Sequence, residues 1–158
     1  MNIFILDEDP VIAAKYLNNS HITKMGLELT QILCNQFDHA PYRKTHMGHP
    51  CVVWAGSSIN NFKWCVEHGK AIFEEYTYRY ERIHKTASVL RWCENNYWKL
   101  QFPKVIMTPF VLAMPEEYQT KNAVKSYRNY YRASKQHLAK WTKREPPEWY
   151  HIGKVEFQ

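Results

Sequence analysis

At 158 residues, of which 45% are hydrophobic, the chain has the size of one domain and enough apolar surface to bury a core without disulfide or metal staples. Its 21 Lys and Arg against 15 Asp and Glu leave a formal net charge of +6, an excess that favours polyanionic partners, with nucleic acid or a nucleotide first among them. Cys34, Cys51, Cys65 and Cys93 form no CxxC pair, which argues against a zinc ribbon or a thioredoxin-like motif and leaves reduced, buried thiols as the expectation. The opening MNIFILDEDP has no basic region before an apolar stretch, and no run approaches the ~18 apolar residues of a membrane span. A cytoplasmic setting without a membrane partner is therefore expected.

The pattern predicts an all-α fold, a compact single-domain helical bundle over residues 1–158 with a short extended N-terminal arm and long functional loops. The segment Asn2 to Leu6 is mostly apolar and partly β-branched, which suits a short strand or arm, and Asp7-Glu8-Asp9-Pro10 punctuates it. Pro10 fits the first position of a helix capped by Asp9. Apolar residues at helical spacing predict helices over about 10–18 and 20–36, with Ser20 as a cap between them. From Asp38 to Pro50 no apolar period survives, so a loop is expected there. A short helix over Cys51 to Gly56 and a long one from Ser58 through Ile83 follow, the latter carrying Phe62, Cys65, Val66, Ile72, Phe73, Tyr76 and Tyr80 on one face. Ala87 to Asn95 and Asn122 to Lys140 read as helices, with Phe102 to Pro115 as an apolar connection bounded by prolines. No internal repeat or linker is visible.

Four constellations could carry chemistry. His21, Lys24 and Glu28 fall in one line on a helix, where a carboxylate beside two potential cations can accept a proton or steer charge; an ordinary solvated Lys-Glu pair has the same spacing. The loop Tyr42-Arg43-Lys44-Thr45-His46-Met47-Gly48-His49-Pro50 suits a phosphate better than a metal, because His46 and His49 lack third and fourth ligands nearby. On the long helix, Glu75, Arg79 and Arg82 leave the apolar stripe; Arg79, His84 and Lys85 would join a binding site if they met the His46 loop, and otherwise they are a salt-laced surface. Finally, Arg128, Lys143 and Arg144 interleave with aromatics up to Trp149 and Tyr150, which suits bases stacked on rings or, equally, tyrosines and tryptophans plugging a core. Phosphate-binding glycine loops, HExxH, GxSxG and deaminase-type paired cysteines are all missing, which removes support from many enzyme classes.

At these residues the chain resembles the pyrimidine-dimer DNA glycosylases of the phage endonuclease V type and their wider superfamily. The likeness lies in three places: His21 followed seven residues later by Glu28, the Tyr-x-x-x-His-x-x-His-Pro loop ending in His49-Pro50, and Pro147-Glu148-Trp149-Tyr150 followed by Gly153-Lys154. The resemblance implies a compact all-helical fold whose N-terminus reaches the active centre. It also implies Glu28 as catalytic carboxylate, His21 as active-site histidine, Trp149 and Tyr150 at the DNA, and no cofactor. The chain departs from the family at residue 2, which is Asn in place of a threonine whose amine is exposed when Met is removed. Methionine is retained before a residue as large as Asn, so the α-amine belongs to Met1, one residue further out. An α-amine titrates near ~7.7 and is partly neutral at physiological pH, so it can still form an imine.

Three functions are therefore expected in order. The first is a phage-type DNA repair glycosylase/AP lyase using the Met1 amine and Glu28. The second keeps the fold without the chemistry and sequesters a signalling nucleotide, as an anti-defence sponge would, using the His46/His49 loop, Arg79 and Lys85. The third is a small nucleotide hydrolase or transferase with Glu28 as base and His21 or His84 as acid.

Overall fold

The computed structural model describes residues 1–150 and is all-α, with six α-helices, three short 3₁₀ turns and no strand among the described residues. Five of the six helices begin where a side chain satisfies an otherwise unpaired amide. Asp9 caps α1 (Pro10–Tyr16) by accepting from the Val11 and Ile12 amides, with Pro10 at the first position. Asn18 caps α2 (Asn19–Cys34) by accepting from the His21 amide. The predicted cap Ser20 instead lies inside the helix and is exposed. His49 caps α3 (Pro50–Ser57), Ser58 caps α4 (Ile59–Tyr80), and Asn122 caps α6 (Ala123–Ser134). Helix α5 (Ala87–Asn96) starts without a side-chain cap bond.

Helix α4, at 22 residues, is the spine against which α1, α2, α3 and α5 pack. Ile22, Met25, Leu29, Ile32 and Leu33 of α2 meet Phe62, Cys65, Val66, Ile72 and Phe73 of α4 in one core, each large apolar side chain contributing about 1.5–3 kcal/mol by leaving water. Gly26 lets the two helices close: a Cβ there would overlap the Phe73 ring edge.

Three expectations need correcting. Helix α4 stops at Tyr80, because Glu81 turns left-handed (φ 56) and donates its amide to Thr77 O. The helix predicted over 122–140 ends at Ser134; the chain then makes a 3₁₀ turn and returns across α2, where Lys140 O accepts the Asn19 amide at 2.8 Å. The N-terminal segment is no strand either. Phe4 is left-handed (φ 53) and its carbonyl accepts the Leu6 amide at 2.9 Å, which breaks the extended run. Ile3, Phe4, Ile5 and Leu6 are all buried, so the arm is part of the core. The 102–115 connection stays irregular, yet Lys104 O and Val105 O accept the Ile59 and Asn60 amides at the start of α4, supplying partners that a helix N-terminus otherwise lacks. No helix among the described residues is long and apolar enough to cross a membrane.

Candidate active site

Burial of residues 3–6 pins the start of the arm against α2 and α3. The Met1 α-amine lies 3.8 Å from Glu28 Oε1; the Met1 side chain is 5% exposed and that of Glu28 18%. The amine is therefore anchored by a buried side chain while the carboxylate keeps access to solvent. Asn2 tightens this anchor: its Nδ2 donates to Ala113 O at 2.7 Å and its Oδ1 accepts the Phe4 amide at 2.9 Å. Asn2 thus locks the arm in place.

His49 completes the corner. Its Nδ1 accepts the Cys51 amide at 3.1 Å as the cap of α3. Its pKa lies below the ordinary histidine value, first because of burial and then because the Met1 ammonium and His46 lie close; the Glu28 carboxylate and the Met1 backbone act in the other direction. Burial pushes the Cys51 thiol on the same turn up to about 12, within the field of the Met1 amine and Glu28. The corner therefore holds one ammonium-carboxylate pair beside a neutral imidazole and a neutral thiol.

Next to it, Gln31, Pro41, Tyr42, Arg43, Lys44 and Thr45 line an open cleft of 530 Å³. Gln31 lies three residues beyond Glu28, one helical turn along the same face. The loop is fixed at both ends of this cleft. Asn35 exchanges two hydrogen bonds with the Thr45 backbone, at 2.6 and 2.8 Å, and the Tyr42 hydroxyl meets Thr86 Oγ1 at 3.2 Å. His46 is left-handed (φ 52), with Nδ1 2.7 Å from Thr45 Oγ1. Lys44 meets Asp38 at 3.8 Å in a solvated pair.

The other predicted site residues sit elsewhere. His21 stacks on Phe4 with ring centroids 4.3 Å apart, and its Nδ1 is 2.6 Å from the Tyr131 hydroxyl. Burial, then Lys135, Lys24 and His137, lower its pKa to about 3. It stands two turns, about 10 Å, along α2 from Glu28 and remains neutral across physiological pH. Lys24 is exposed between them.

Arg79 is not a surface cation, as the helical spacing implied, but is 3% exposed. It binds Glu75 at 3.3 Å, Asn19 Oδ1 at 3.1 Å and Lys15 O at 3.1 Å, and so does not meet the His46 loop. His84 Nε2 lies 3.1 Å from Thr23 O and its ring packs on Phe73 and Tyr76. Lys85 is exposed, and the Tyr42–Thr86 contact brings its segment to the start of the loop. Arg128 donates to Leu6 O at 2.9 Å, pairs with Asp7 at 3.0 Å and lies over the Tyr16 and Trp149 rings. Lys143 caps the Tyr78 carbonyl at 3.0 Å and pairs with Glu81, while Arg144 binds Glu75. Trp149 and Tyr150 pack against the core, with Trp149 edge-on to Tyr16 and Tyr131. These tail residues hold the fold together. Gly153 and Lys154 lie outside the described residues.

Sequence reasoning passed over Lys135 and His137, and it weighed Asn2 only as a departure and not as an anchor of the arm. Lys135 Nζ lies 6.0 Å from the Phe4 ring centre and 4.8 Å from that of Tyr130. Only the buried position of the arm brings these groups to α2, and no local pattern announces that position. Among the described residues, no three His, Cys, Asp or Glu side chains gather as a metal ion requires. The chain matches no protein-family model, no curated protein and no solved structure.

Proposed function

We propose that this protein is an amine-dependent DNA glycosylase/AP lyase in which the Met1 α-amine is the nucleophile and Glu28 the catalytic carboxylate. The observation that carries the reading is the 3.8 Å approach of the Met1 amine to Glu28 Oε1. The chemistry needs a neutral amine to attack C1′ of the sugar, and a carboxylate to stabilise the positive charge that develops there. As the N–C1′ bond forms, the glycosidic bond breaks and its electron pair leaves with the base; the nitrogen then gives up its two protons, one to the departing base and one to O4′, as the C1′–O4′ bond opens and the C1′=N bond of the imine forms. At an existing abasic site the same amine condenses with the aldehyde and releases water.

Four features support the reading. The amine is backed by buried side chains, so it is already oriented and little freedom is lost on attack. Glu28 is adjacent and reachable. The neutral His49 offers no second positive charge to compete for Glu28. A cationic cleft at Arg43 and Lys44 opens one turn away, where a phosphate could be held.

The test is borohydride trapping on duplexes carrying an abasic site or a thymine dimer. A covalent adduct is expected with the native chain. It should fall by about 100-fold in Glu28→Gln and disappear when the α-amine is blocked. A well-folded protein that gives no adduct on either duplex sinks the reading.

A further inference from the structure

The Met1 amine and Glu28 Oε1 stand 3.8 Å apart, beyond the roughly 2.7–3.2 Å of a direct hydrogen bond. Glu28 therefore attracts the amine by charge and leaves its direction open. The direction is set at the other end of the same residue. His49, half-buried, closes the first turn of α3. Its Nδ1 accepts the Cys51 amide at 3.1 Å, which places the single proton of the neutral ring on Nε2. The ring also hydrogen-bonds the Met1 backbone in the sense that favours its protonated form, so the ring donates and the Met1 carbonyl accepts. Two residues on, the Cys51 sulfur accepts from the Ile3 amide. One turn of α3 thus holds a carbonyl and an amide within the first three residues of the arm. Asn2 between them is tied to Ala113 O and to the Phe4 amide. The charged and titratable groups that face His49 are the Met1 amine of the arm, Glu28 of α2 and His46 of the loop.

Resting on the amine-dependent reading of the Met1–Glu28 corner, we propose that His49 is the positioning residue for the nucleophile: its Nε2–H holds the Met1 carbonyl and thereby keeps the α-nitrogen beside Glu28. The argument is one of covalent geometry. The Met1 side chain is 5% exposed, so its Cβ is fixed by packing, and His49 fixes the carbonyl. With two substituents of a chiral Cα held, the place of the nitrogen follows. His49 does this without touching the sugar and without taking the proton of the amine, because Nδ1 is already committed to the Cys51 amide. A nucleophile displaced by about 1 Å can lose about 100-fold in rate, and that is the scale of what the hold contributes.

Two substitutions separate the two bonds of the ring. His49→Asn puts an oxygen where Nδ1 stands, and asparagine is among the best helix caps, but its side chain is too short to reach the Met1 carbonyl. His49→Gln carries an amide nitrogen to the place of Nε2 and gives up the favoured cap. The experiment takes each full-length variant through three measurements: affinity for a duplex containing a tetrahydrofuran abasic analogue, the rate of the borohydride-trapped adduct on an abasic duplex, and deuterium exchange of the Ile3 amide by NMR. His49→Asn is expected to keep its melting temperature and affinity near native, while the trapping rate falls by about 10-fold to 100-fold and Ile3 exchange quickens by about tenfold as the start of the arm opens. His49→Gln is expected to melt lower, yet to hold both rates within about threefold of native. A histidine that serves only as a cap gives the reverse order, with His49→Gln the worse in every measurement; that order, or native trapping in His49→Asn, overturns the proposal. Exchange at Ile3 needs no DNA and so separates the hold from the chemistry. The expected order of exchange in a protein that forms no adduct keeps the hold and removes the lyase, whereas native trapping rates in both variants keep the lyase and remove the hold.

Discussion

Arg144 reaches back from the C-terminal segment to grip Glu75 with two nitrogens, Nε to Oε1 at 2.9 Å and Nη2 to Oε2 at 3.1 Å. Glu75 also accepts from Arg79, so one buried carboxylate holds two guanidiniums. A paired fork of this kind is stronger than a single contact, and burial makes the loss of one partner costly. Glu75→Ala is expected to destabilise the fold by about 3–5 kcal/mol, because Arg79 would be left buried and uncompensated. Arg144→Ala should cost about 1–2 kcal/mol, since that guanidinium is one-third exposed and its loss leaves Glu75 still paired. Urea unfolding of the two variants checks the order; equal costs would contradict the assignment.

Acid sensitivity follows from two buried imidazoles. His68 Nδ1 lies 2.9 Å from Pro10 O, and burial lowers its pKa to about 4, while His21 is lowered to about 3. Folding depresses both values, so the unfolded chain binds more protons between them and the ordinary value near 6.5. The stability these groups protect is whole above about pH 6.5 and is lost as pH falls toward 4 and then 3, at up to about 1.4 kcal/mol per pH unit for each. Melting temperatures between pH 7 and 4 should fall, and the slope should shrink in His21→Asn and in His68→Gln. Slopes unchanged from the native protein would rule out neutral burial of these rings.

Placing one extra residue before Met1 should abolish the borohydride adduct while leaving the fold intact. The added residue moves the free amine about 3.8 Å further from Met1, beyond the reach of Glu28 set by the buried arm. Circular dichroism would report the fold, and trapping on an abasic duplex the chemistry. Retained trapping would mean that a lysine, and not the α-amine, is the nucleophile.

Gly26→Ala is expected to lower stability by about 1–3 kcal/mol, the range for overpacking a core, because the new methyl meets the Phe73 ring where α2 and α4 close. Pairing it with Phe73→Leu should recover part of that loss. A neutral Gly26→Ala would mean that the two helices have room to separate.

Local signals made much of the fold legible. Asp9-Pro10 announces α1 because a cap and a fixed φ act within four residues, and the stripe from Phe62 to Phe73 announces α4 because helical spacing is itself local. Glu28 as a candidate carboxylate was readable from its spacing to His21. What was not readable depends on distant partners. Helical spacing put Glu75 and Arg79 on a polar face; burial came from Arg144, Asn19 and Lys15, which no periodicity connects to them. His21 shares its line with Glu28 but is drawn into the core by Phe4 and Tyr131, so one stripe divides into a buried half and a half that meets the Met1 amine. The segment read as a short strand or extended arm because its composition says apolar and does not say against what. The aromatic tail likewise gave two readings, and packing of Trp149 on Tyr16 and Tyr131 settles its place in the fold.

The partners of the arm also set an order of assembly. Asn2 is fastened to Ala113, Leu6 to Arg128 and Tyr16 to Trp141, so the earliest part of the chain to be synthesised waits for some of the latest. Contacts this distant in sequence slow folding, and during that wait the Met1 amine has neither its seat nor its carboxylate in place. On the proposed reading the nucleophile is thereby armed only by a finished molecule: a nascent or partly unfolded chain carries the same amine without the setting that directs it, and the Met1–Glu28 corner reports on the completeness of the whole fold.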